Sequence, residues 1–184
     1  ILVALINNAA LLVGFSVIYS FVYLLPLRHR YMQTVLSGVL IALTCIAIMS
    51  TPFTLRSGII FDTRSILISV TALMFGTIPA VLTAAIAAIY RLMLGGIGTL
   101  PGLAVIITST LIGLAWRRWL YQKSTKRHWL NIFEMSVCVH VCMLACMFLL
   151  PYPDSLNVIR EIILPVMLIY PIVSVLLSLI LLRQ

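Results

Sequence analysis

The chain has 184 residues, of which 63% are hydrophobic and only 9% charged, and its formal net charge is +8. Soluble domains are usually about 45–50% apolar and about 25% charged, so this composition excludes a soluble globular domain. The positive charge is not a nucleic-acid signature, because it clusters beside apolar segments and no RNA- or DNA-binding motif accompanies it.

Segment one, residues 2–27, is long enough to cross a hydrocarbon core of about 30 Å at about 1.5 Å per residue. It is too long for a signal-peptide core and lacks a small-residue cleavage pattern after it. Arg28, His29 and Arg30 stop it. Segment two runs from Val35 to about Thr51 and ends at Pro52. A loop, Pro52–Thr63, carries Arg56 and Asp62. Segment three, 64–76, is short for a full crossing, and a Gly76–Pro79 break separates it from segment four, 79–94. Gly95, Gly96 and Gly98 follow, and segment five begins at Pro101 and closes on Trp116, Arg117, Arg118 and Trp119. Segment six is 129–150 and segment seven about 156–182.

Charge assigns the sides. With Arg28 and Arg30 cytoplasmic, the amino terminus is outside, and Arg117, Arg118, Lys123, Lys126, Arg127 and Arg183 fall inside as well. Arg56, Arg64, Arg91 and Arg160 fall outside, together with the acids Asp62, Asp154 and Glu161. This bias satisfies the positive-inside rule and puts the carboxyl terminus in the cytoplasm of a bacterial inner membrane. A re-entrant hairpin at segments three and four would lower the crossings from seven to five without changing this parity.

The same parity brings two arginines together. Arg64 starts an inward-going segment and Arg91 ends an outward-going one, so both lie at one outer level. Asp62 or Thr63 is placed to cap segment three, and Thr99 followed by Pro101 matches the start of segment five. Gly95 and Gly96 allow close backbone approach. Two guanidinium groups beside helix amino ends make an anion pocket. The competing reading has each arginine snorkel to the headgroups.

These residues resemble a known family. FDTRS (61–65), the Phe75–Gly76 pair, Tyr90–Arg91 followed by Gly95–Gly96, and the proline of GTLPG (98–102) resemble the transmembrane receptor domain of the LytS–YhcK type, as do Glu134 and Pro165. That resemblance implies an input module with a histidine kinase or a GGDEF diguanylate cyclase following residue 184, hence two-component or cyclic di-GMP signalling and a homodimer formed through the output module. It also implies a ligand-binding set of Asp62, Arg64, Ser65, Tyr90, Arg91, Gly95, Gly96, Thr99 and Gly102. Some related kinases respond to extracellular pyruvate. They carry a cysteine directly after the loop proline, where this chain has Gly102, a departure that argues against pyruvate itself and leaves a small carboxylate as the expected ligand.

Other candidates are weighed against plainer roles. Glu134, a carboxylate inside segment six, is either packed and paired or a relay element. Pro165 and Pro171 loosen segment seven, as a hinge passing motion to the output module or as ordinary irregularity. Cys138, Cys142 and Cys146 share a helical face with Glu134, and a small-residue packing role outweighs a metal or redox one. His140 reads as a buried donor bonded to a neighbouring helix. Arg160 and Glu161 read as an interfacial pair, with Arg160 a candidate third cation. No nucleophile elbow, P-loop or HExxH is present, and no metal or cofactor is expected.

The expected fold is an all-α integral membrane protein, a polytopic helix bundle of about six or seven spans with a short broken helix pair near the centre. It forms a single transmembrane sensor domain over 1–184. The expected function is to bind a small anionic ligand from the outer side and relay that event inward. The alternatives are the substrate-binding membrane subunit of a small-molecule transporter, whose broken helices would look similar, and a passive membrane anchor.

Overall fold

The computed structural model describes residue 14 and residues 30–51, 53–56, 59–122 and 128–182. Apart from residue 14, segment one lies outside the described residues, as do Arg28, His29, Lys123, Lys126, Arg127 and Arg183. Six helices are described: α1 (Arg30–Ser50), α2 (Arg64–Phe75), α3 (Thr77–Leu94), α4 (Thr99–Gln122), α5 (His128–Cys146) and α6 (Asp154–Leu182). A single 3-10 turn, Met147–Leu149, extends α5.

Five of these helices are long and apolar enough to cross a membrane, and the short α2 is not. Its twelve residues rise only about 18 Å. The chain is a multi-pass, all-α membrane protein, as its composition requires. One local feature differs from expectation. The loop after α1 contains a two-stranded antiparallel ribbon, β1 (Phe53–Arg56) and β2 (Ile59–Phe61), with Phe53 opposite Phe61 and Thr54 opposite Ile60. Phe53, Thr54, Ile59, Ile60 and Phe61 are residue types that suit strands, a signal the stop at Pro52 obscured.

Local chemistry accounts for the helix boundaries. Gly76, with φ 84°, separates α2 from α3 in a conformation that L side chains rarely adopt. Pro79 falls in the first turn of α3, where its missing N–H leaves no bond unmade. Gly95 and Gly96, with φ of 63° and 85°, turn the chain from α3 into α4. Pro165 and Pro171 both lie inside the long α6.

The other helices surround α2. They form an arc in the order α1, α3, α4, α5, α6, and α2 packs against every one of them. Consequently all ten residues from Arg64 to Leu73 are buried. A mostly apolar helix enclosed on every side is a central strut, and its polar residues Arg64, Ser65, Ser69 and Thr71 are buried with it. Its closest neighbour is α4, and Gly113 permits the approach: a Cβ there would stand 2.5 Å from the Ser69 carbonyl oxygen and 2.7 Å from Ala72 Cβ. Small residues serve this purpose where membrane helices must touch backbone to backbone. The outer helices bury one face and leave another apolar and exposed. On α6, Val166, Tyr170, Ser174 and Leu177 are buried while Leu164, Leu168, Ile172 and Leu176 are exposed. In a bilayer that exposed stripe meets lipid.

Candidate functional site

The site is built where ribbon, strut and glycine loop meet. Asp62 follows β2 directly and is buried. Its Oδ1 accepts the Arg64 backbone N–H at 2.9 Å, and its Oδ2 accepts Arg64 Nη1 at 3.2 Å. One carboxylate thereby satisfies an orphan donor at the start of α2 and pairs with the first side chain of that helix. Of the two residues placed to cap α2, Asp62 does so. The buried Thr63 hydroxyl makes no hydrogen bond among the described residues.

Arg91 occupies the last turn of α3 and is 1% exposed, while Arg64 is 7% exposed. Neither has the position of a snorkelling side chain, whose charged end sits in water. Arg91 Nη1 donates to the Gly95 carbonyl at 2.9 Å, which closes the end of its own helix. The two arginines converge on Gly102 in the first turn of α4. A Cβ at that position would stand 2.7 Å from Arg91 Nε and 3.2 Å from Arg64 Nη2. The two groups are therefore no farther apart than the sum of those distances. Parity along the chain had put both arginines at one level, and the fold puts them against one glycine.

Beside Arg64 lies a cavity of about 20 Å³. Asp62, Arg64, Ser65, Gly98 and Gly102 form its polar part, and Phe61, Pro101, Val105, Met143, Met147 and Leu150 its apolar wall. Asp62 is the sole carboxylate of that lining. The volume exceeds the roughly 10–15 Å³ that one water needs and is far below that of a multi-carbon ligand, so a larger occupant must open it.

Of the nine residues expected to bind ligand, Asp62, Arg64, Ser65 and Gly102 line this cavity, and Arg91 adjoins it across Gly102. Gly95 contributes its carbonyl to Arg91. Tyr90 points elsewhere: its hydroxyl lies 2.9 Å from Ser50 Oγ at the end of α1. Thr99 turns its hydroxyl back onto the Gly96 carbonyl at 2.8 Å, so these two residues tie off the loop. Glu134 is exposed on α5, Pro171 is buried in α6, and Pro165 is half-buried. Arg160 is exposed and outside the cavity lining. Among the described residues, no group of three or more His, Cys, Asp or Glu could hold a metal ion.

Two features went unread in the sequence. Arg117 reads there as a topology charge, yet its Nη1 donates to the Leu73 and Met74 carbonyls, both at 2.7 Å, and so caps the far end of α2. The second is the company that His140, itself read as buried and bonded to a neighbouring helix, keeps on α5 and α6. His140 finds its neighbouring-helix partner in Ser65 of α2, with Nε2 3.4 Å from Oγ, and Ser136, Tyr170 and Ser174 complete the group. Only their polarity inside apolar runs marks them in the sequence.

Apolar helices enclosing a charged pair beside a small cavity define a polytopic membrane protein with a buried charged site. The family model described as 5TMR of 5TMR-LYT matches residues 18–184. The chain therefore belongs to the 5TMR-LYT family of transmembrane receptor domains, and it is a transmembrane sensing module of the kind found in sensor proteins. No curated protein and no solved structure matches it.

Proposed function

We propose that this sensing module binds a small carboxylate at the Arg64–Arg91 pair and relays its presence to a cytoplasmic output module. The supporting observation is the convergence of two buried guanidinium groups on Gly102, with Asp62 the one carboxylate in the cavity lining. A monoanion with a short apolar tail suits that charge and the Met143, Met147 and Val105 wall. Its carboxylate takes hydrogen bonds from both arginines, which draws Arg64 from Asp62 and opens the cavity. The ligand shifts the receptor only because it binds the opened state more tightly.

The ligand enters from the outer side of a bacterial inner membrane, with the amino terminus outside and the carboxyl terminus in the cytoplasm. Residues 1–184 act as one sensor domain, and a histidine kinase or diguanylate cyclase that dimerises through its own module follows it. The family match favours this reading over a transporter subunit.

Calorimetric titration of the purified chain with acetate, propionate and pyruvate tests it. At least one should bind, and Arg91→Ala should weaken that binding while circular dichroism reports an intact helical fold. Equal affinity in the variant, or no binding by any of the three, rejects the site.

A further inference from the structure

Ser65, on the cavity wall, begins a continuous line of buried hydrogen bonds that ends on the last helix. His140 Nδ1 lies 2.6 Å from the Ser136 carbonyl. A carbonyl can only accept, so Nδ1 carries the proton, and in the neutral ring Nε2 is left to accept from the Ser65 hydroxyl at 3.4 Å, nearer than the weak acceptor Met143 Sδ at 3.8 Å. Ser136 Oγ, 3.2 Å from the same Nδ1, donates to Ser174 Oγ at 2.8 Å. Ser174 Oγ donates to the Tyr170 carbonyl at 2.9 Å. Every proton in the line then points the same way, from the cavity toward α6.

A second link returns to the cavity. The Tyr170 hydroxyl donates to the Asp62 carbonyl at 3.2 Å, and the Tyr170 ring stands edge-on to His140 with centroids 5.0 Å apart. The start of α2 is thus joined to one turn of α6 by two routes. Ser65, Ser136, His140, Tyr170 and Ser174 are each no more than 1% exposed. At that burial, breaking a link leaves a polar atom unpaired in a largely apolar interior, so such a network tends to be either made or broken as a unit.

The lengths of the links say where it gives. The longest link, 3.4 Å, is the one to Ser65 of α2; the link to Asp62, just ahead of α2, is 3.2 Å, as is that from Ser136 Oγ to His140 Nδ1 within α5, and both routes end on the Tyr170–Ser174 turn of α6. The turn they reach also contains Pro171, whose missing N–H deprives the Met167 carbonyl of its helical partner. Bending there costs little.

We infer that Tyr170, Ser174 and His140 are positioning residues through which the Tyr170–Ser174 turn of α6 senses whether the cavity end of α2 is closed or open. This rests on the carboxylate reading for its natural trigger, while the coupling itself can be tested without a ligand. Gly102→Ala supplies the disturbance, since its Cβ would meet both arginines.

Amide hydrogen exchange is followed over residues 171–180 of the full chain in detergent. In the otherwise native protein, Gly102→Ala should speed exchange there by about five-fold or more. With Tyr170→Phe and Ser174→Ala also present, Gly102→Ala should change it by less than about two-fold relative to that double variant. An equal response in both backgrounds, or none in the native one, overturns the inference. Titration with acetate, propionate and pyruvate on the same samples separates the two claims. Propagation from Gly102 without carboxylate binding leaves the coupling standing and removes the carboxylate. Binding without propagation does the reverse.

Discussion

The two ends of α2 are both held by arginine, and they are held differently. At the far end, Arg117 reaches across from α4 and spends two short hydrogen bonds on the last carbonyls of the helix, those of Leu73 and Met74. At the near end, Arg64 and Arg91 crowd against Gly102 with a cavity and one carboxylate beside them. A cation over helix-end carbonyls completes the helix, because it meets the negative end of the macrodipole. At the near end Asp62 offsets Arg64 and the Gly95 carbonyl takes one bond from Arg91, yet the two cations still repel each other across Gly102 with a single carboxylate beside them. Stability alone therefore explains Arg117, whereas the near end is where the proposed anion would bind.

The comparison can be broken from either end. The largest expected effect is on ligand affinity: Arg91→Ala should weaken carboxylate binding about 100-fold, as losing one partner of a buried charged contact does, with little change in helical content. Calorimetry beside circular dichroism checks it. Next is Arg117→Ala, which strands two carbonyls that had a charged donor. It should cost about 2 kcal/mol in a detergent-unfolding titration and leave affinity within about three-fold. If Arg117→Ala abolished binding instead, the division between a structural end and a functional end would fail. Arg117→Lys should recover part of that stability, since an ammonium replaces the charge without the fork. The smallest effects belong to residues that the fold takes out of the site. Tyr90→Phe should change affinity by less than about two-fold and stability by about 0.5 kcal/mol, because its hydroxyl serves Ser50 in an exposed contact.

The family match and the helical architecture both agree with what the residues imply on first reading. Arg64 and Arg91 could be put at one level because counting crossings is a geometric operation on the chain. Gly102 could be included from its place after the loop proline, yet its reason, a Cβ that would strike two guanidinium groups, exists only once α3 and α4 are packed. Tyr90 is adjacent to Arg91 in the chain and leaves the helix about 100° away from it, so adjacency in a motif did not mean adjacency in the site. Glu134 stands out in the sequence as a rare intramembrane acid and lies on an exposed face. Ser136 and Ser174 stand out hardly at all and are wholly buried.

The chain by itself determined that apolar helices make up nearly all of it, where most of the described ones begin and end, and that Arg64 and Arg91 share a level. A bilayer allows little else: backbone groups in hydrocarbon must bond within the segment, and prolines, glycines and charges mark where that stops. Which side chains meet inside the bundle was decided by tertiary packing. In a soluble protein an amphipathic stripe announces the buried face. In a membrane the lipid-facing and core-facing surfaces are similarly apolar, so rotation about each helix axis is set by contacts such as Gly113 against Ser69 and Arg117 against Leu73.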